Sequence, residues 1–252
     1  MLIHLIKKSD WAFLLDFVSP AFFKVIPPLE LVSNATAMAK RTQNRELFHN
    51  AVVDMSSKFQ HGLAHVKVVS GDLAERPAAH AFKNADEQTR RWLAEQIVKI
   101  YFGQIFAGGT LLLDLRLSRF SLNGNNLVWS PAPLMGVFSD AFIKSMSELY
   151  AGYYGGKSEQ MMSALRNLGL DWAYDVFIEH FGEGDQTAVR FTMSHFIKTF
   201  HEIFMKCKTE KKNLKGEFVQ LGVILGLMYE SLETLDAPVD VRSAFHQVTS
   251  SL

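Results

Sequence analysis

The chain has 252 residues, 48% of them hydrophobic and 21% charged, with 26 lysines and arginines against 26 aspartates and glutamates. This is the composition of a globular protein large enough for a sizeable core, and it excludes the disordered and collagenous classes. Because the charges cancel, no net field draws the protein to nucleic acid or an anionic membrane, and no nucleic-acid partner is expected.

The opening "MLIHLIKKSDWAFLL" places its lysines after the first apolar residues and has no long apolar core, the wrong order for a secretory signal. A cytoplasmic location is the expectation. In "SPAFFKVIPPLE", Pro20, Pro27 and Pro28 break any helix. The following "LELVSNATAMAKRTQNRELFHNAV" is compatible with one. "HVKVVSG", at 65–71, is a short β-branched run closed by glycine and predicts a strand.

From Asp86 to Phe106, Leu93, Ile97, Ile100, Tyr101 and Ile105 recur every three or four positions, the spacing of one buried helix face. "RFSLNGNNLVW" sets two extended runs around Asn123 and Gly124, a hairpin signal directly after Asp114. Ser139 and Asp140 open a helix running to about Tyr154, with Phe142, Met146, Leu149 and Tyr150 inward. Ser158 caps the next helix, which Gly169 closes. Further helices are expected over 171–181, 187–207 and from 216 to Leu235, before Pro238. The expected fold class is mainly α (α+β), a single compact domain over 1–252 with a small β-hairpin, since no repeat, low-complexity tract or linker interrupts it.

The longest strongly apolar runs, "IYFGQIFAGGTLLL" and "FVQLGVILGLMY", fall short of the about 20 residues that cross a bilayer. No transmembrane segment is expected. Cys207 is the only cysteine, which excludes an intramolecular disulfide and leaves it a spectator thiol.

"AGYYGGKS", at 151–158, fits a loose phosphate-loop pattern in which Lys157 would reach the phosphates. It follows a helix where a phosphate loop follows a strand, so Gly155 and Gly156 read as a helix end. "ELFH" puts Glu46 and His49 three apart, half of the motif used by di-iron bundles, and no second half exists. His195 and His201 lie on different sides of a helix; with Glu202 they would need several helices to build a metal site such as that of a heme-oxygenase-like bundle. Neither metal nor cofactor is expected. Twenty Phe, four Trp and ten Met, with clusters such as "WAFLLDFVSPAFF", read first as core packing and second as a groove for a lipid-like molecule or a partner helix.

The order "EQIVKIYFGQIFAGG", a segment with Asp114, a hairpin, Gly136 and "FSDAFIKSMSELYAGYYGGKSEQMMSALRNLGL" resembles the C-terminal lobe of the UbiB (AarF) family of atypical protein-kinase-like proteins, over about residues 60–245. That family carries Q-I-F-x-x-G, then F-H-x-D-P-H-P-G-N, a hairpin and D-F-G-x-x-G, and its late helix resembles "FVQLGVILGLMYESLETLDAPVDV". The resemblance implies a protein-kinase-like C-terminal lobe with a reduced N-terminal region. It puts Asp114 on the catalytic-loop Asp, Arg119 on the metal-binding Asn, Pro131 on the Asp of D-F-G and Gly136 on the last Gly.

The departures decide what is expected of it. Phosphoryl transfer needs an Asp for the hydroxyl, an Asn and a second Asp for magnesium, and a Lys with a Gly-rich or Ala-rich loop for the phosphates. Here Leu112 replaces His, Leu115 and Leu117 replace prolines, Ser118 replaces Gly, Arg119 replaces Asn, and Pro131, Ala132 and Pro133 replace D-F-G. An arginine cannot ligate a cation, and "SPAFFKV" lacks the Gly and Gln of the family's K-x-G-Q region. Asp114 is therefore expected to be a relic of a catalytic loop paired with Arg116 or Arg119, because an unpaired buried carboxylate costs several kcal/mol. The expected function is that of a non-catalytic, pseudokinase-like binding or scaffolding protein with a protein or lipid-like partner. The resemblance ties it to quinone or lipid metabolism and to peripheral membrane contact. The alternatives are a helical-bundle metalloenzyme and a residual ATPase using Asp114.

Overall fold

Helix caps and turns chosen by short polar residues set the frame in the computed structural model, which describes residues 28–71, 82–181 and 188–251. Helices α1 (Pro28–Gln43) and α2 (Arg45–Gly62) are divided at Asn44, whose side chain accepts the Leu47 N–H and starts α2. "MLIHLIKKSDWAFLL", "SPAFFKV" and "WAFLLDFVSPAFF" lie outside the described residues.

After strand β1 (Val66–Val68), Asp86 caps α3 (Glu87–Ala107) by accepting the Thr89 N–H, and Gly108 ends it at φ +69°. The chain then forms β2 (Thr110–Leu112), a 3-10 turn at Leu117–Arg119, β3 (Phe120–Asn123), β4 (Asn126–Trp129) and β5 (Met135–Val137). β3 and β4 are the expected hairpin, turned at Gly124 with φ +59°. β1 runs parallel to β4 on its other side, and β2 pairs antiparallel with β5 in a separate ribbon. The three-residue strands β2 and β5 are too short to carry an alternating pattern in sequence.

The remainder is helical: α4 (Asp140–Tyr154), α5 (Ser158–Leu168), α6 (Tyr174–Phe181), α7 (Met193–Thr209), α8 (Gly216–Leu235) and α9 (Val241–Thr249). α4 and α5 pack so closely that a Cβ on Gly152 would lie 2.6 Å from the Met161 backbone nitrogen. α7 starts six residues later than the spacing predicts. Val189 instead pairs with Val239 in an antiparallel bridge, and Thr192 caps α7 by accepting the His195 N–H. α9 was not anticipated after Pro238; Asp240 starts it by accepting the Ser243 N–H.

α8 is apolar through its middle, from Leu221 to Tyr229. It is 20 residues long and, by length and composition alone, able to cross a membrane, a test that a buried core helix also passes. In this fold 67% of its apolar window is buried. Buried apolar side chains from Phe48 on α2 to Val248 on α9 form one core cluster around it. The molecule is thus mainly α with two small sheets, as the composition and periodicity predict.

Candidate functional site

Helix α3 does not return as a plain antiparallel bundle. It leads through β2 to Asp114, and the hairpin follows. Two buried glutamines hold the ribbon beside Asp114: Gln104 Oε1 accepts the Leu112 N–H at 2.7 Å, and Gln220 Oε1 accepts the Val137 N–H at 3.1 Å. Trp129 donates Nε1–H to the Asp114 carbonyl at 2.9 Å, and Ser231 on α8 donates to the Leu115 carbonyl at 2.8 Å. The loop is fixed from the hairpin and from α8.

The Asp114 side chain has no exposure at all. Its Oδ1 accepts from Arg116 Nε at 2.8 Å and from the Arg116 backbone N–H at 3.3 Å. Its Oδ2 accepts from Arg116 Nη2 at 3.0 Å and the Ala132 N–H at 3.0 Å, and Arg119 Nε makes an ion pair with it at 2.9 Å. The 3-10 turn carries Arg119 into place, with its N–H donating to the Arg116 carbonyl at 2.9 Å. Both arginines engage the carboxylate, where the sequence left either as the partner. Five contacts fill the about four lone-pair positions of a carboxylate. None is left for a cation or for a substrate hydroxyl.

Glu230 approaches from α8. Burial pushes its carboxyl up, Arg116 opposes this, and Asp114 and Glu233 push it up further. Pro131 is buried and offers neither an N–H nor a carboxylate, while its neighbour Ala132 supplies an N–H to Asp114. Gly136 sits in β5 opposite Leu111. A Cβ there would lie 2.6 Å from the Phe138 ring and 2.9 Å from Leu113 Cδ2, so close packing against the ribbon is reason enough for a glycine. Asp114, Arg119 and Ala132 thus meet, while Gly136 belongs to the neighbouring ribbon.

The other sequence candidates stand apart from this node. Gly155 and Gly156 end α4, as read, but Ser158 is the first residue of α5 and not its cap; Lys157 holds the cap position without a side-chain bond. Glu46 and His49 are exposed on α2, and His49 Nδ1 lies 3.2 Å from Ser70 Oγ. His201 is exposed and Glu202 pairs with Lys198 at 3.9 Å, so neither joins His195. Among the described residues no group of three or more His, Cys, Asp or Glu side chains is placed to share a metal ion. Cys207 lies on the buried face of α7, and burial pushes its thiol up to about 12. That makes it unreactive.

Sequence reasoning missed His180. It stacks between His195 and Tyr229, each ring 5.8 Å away, with Nδ1 3.1 Å from Thr199 Oγ1. Burial holds its imidazole down to about 3, helped by the neighbouring His195. The unfolded chain, with an ordinary histidine near 6.5, binds a proton that the folded state refuses. Stability should therefore fall as pH drops below about 6.5 toward 3, approaching about 1.4 kcal/mol per pH unit from this group. Urea denaturation across that window checks it: His180→Phe should flatten the slope, and an unchanged slope would contradict the assignment.

No protein-family model matches the chain, and no curated protein matches it in sequence.

Proposed function

We propose that this protein is a non-catalytic, kinase-like binding or scaffolding protein whose former catalytic loop has become a structural ion-pair node. The reading keeps the resemblance to the UbiB-type lobe. It is supported by the element order: a long helix, a short strand, an aspartate loop, a hairpin, and a strand that pairs back onto the first. The observation that carries it is the saturated Asp114 carboxylate, held by two guanidiniums and a backbone N–H. Guanidinium groups supply here the positive charge that divalent ions supply in phosphoryl transfer. A metal-bound triphosphate would meet like charge where it needs ligands.

Binding is then the remaining role, with a protein or lipid-like partner, at a peripheral membrane site or in the cytoplasm. Thermal-shift titration separates the readings. Magnesium with ATP or ADP should leave the melting temperature unchanged. A saturable upward shift that is lost in Asp114→Asn would support a residual ATPase and overturn the proposal.

A further inference from the structure

On α8, Leu225, Met228 and Tyr229 border a cavity of about 50 Å³ shared with α3, α4, α6 and the segment at 189–191. Phe181 and Phe191 wall it, and exposed Arg190 stands at its mouth. The cavity has room for roughly three to five water-sized atoms at about 10–15 Å³ each. That size suits a small ligand.

Its polar groups are unevenly committed. Tyr101 and Tyr150 hydroxyls bond each other at 2.6 Å. Tyr154 and Tyr229 line the cavity, and their hydroxyls make no hydrogen bond among the described residues. Thr199 donates its hydroxyl to the backbone carbonyls of His195 and Phe196, so it must accept from His180 Nδ1–H. His180 Nε2 is then left with its lone pair. His195 Nε2 donates to the His180 carbonyl at 3.3 Å.

Burial holds the four tyrosines protonated and His180 neutral. Arg190 is committed to Asp236, through its carbonyl at 3.0 Å and its carboxylate. An ionised ligand would lose its hydration without finding a partner. Aromatic faces favour a flat ring, the hydroxyls offer donors, and the His180 imidazole offers an acceptor.

We propose that this cavity is a binding site for a small neutral heteroaromatic ring of the azole class, its N–H donating to His180 Nε2 and its ring nitrogen accepting from Tyr229 or Tyr154. The inference goes beyond the Asp114 reading, since the residues lining the cavity do not include Asp114, Arg116, Arg119 or Ala132. Pyrazole, neutral near neutral pH, is the probe, titrated into the full chain by isothermal calorimetry and by NMR chemical-shift mapping. Saturable binding is expected, with shifts centred on α3, α4 and α8. Tyr229→Phe and Tyr154→Phe, which keep the ring and remove only the hydroxyl, should weaken it, by up to about tenfold for the one that donates. Cyclopentene, of the same size without donor or acceptor, should bind at least as much more weakly to the unaltered protein.

A second groove, between α2 and the end of β1, is lined by Val53 and Val69; no saturation, equal affinity in both tyrosine variants, equal affinity for cyclopentene, or shifts centred on that groove would each overturn the proposal. The magnesium–ATP titration is scored on a different ligand, so either claim can fail alone.

Discussion

Replacing Asp114 with alanine is expected to lower the unfolding free energy by about 3–5 kcal/mol, the range for breaking a buried ion pair by removing one partner. The carboxylate is fully buried and Arg116 and Arg119 converge on it, so the substitution leaves two guanidiniums facing each other across an empty position. Urea denaturation measures the loss directly. In a chain of this length the melting temperature should fall by roughly 6–20 °C. Asp114→Asn keeps the shape and removes the charge, and should fall between alanine and the natural residue. A loss below about 1 kcal/mol in Asp114→Ala, the range of an exposed ion pair, would mean that the cluster is not a structural node.

The second large effect belongs to Trp129. Its side chain is fully buried on β4, stacked on Phe120 with ring centroids 6.2 Å apart, and its Nε1–H is the partner of the Asp114 carbonyl. Trp129→Ala should cost about 3–5 kcal/mol through the cavity it leaves. Trp129→Phe is more informative, since it retains much of the ring and orphans a buried carbonyl, at about 1–3 kcal/mol. If the phenylalanine variant is as stable as the natural protein by the same denaturation assay, the indole contributes bulk and not the positioning of the Asp114 loop.

Much of the frame was legible because its signals are local. Ser139 caps the helix it was expected to cap, the periodic stretch that begins at Asp86 is a helix, Gly169 closes α5 in the left-handed conformation, and Gly124 turns the hairpin. The pairing of Asp114 with arginine was also legible, from the cost of an isolated buried carboxylate. What sequence could not give is long-range. β2 and β5 exist by virtue of each other and of Gln104 and Gln220, the latter more than a hundred residues from Gln104 in the chain. Tyr154 and Tyr229 carry no motif or spacing that marks a site, and only the fold brings them to the lining of one cavity. His180 carries no cap, spacing or motif. Its tautomer follows from Thr199, on another helix.

The most direct test is a crystal structure of the protein grown with magnesium and ATP. The ion-pair account predicts Asp114 clasped by Arg116 and Arg119, the Ala132 N–H still on its Oδ2, and no nucleotide beside residues 114, 119 and 131. An ordered triphosphate there, with a magnesium ion bound to the Asp114 carboxylate and the two arginines swung away, would contradict it.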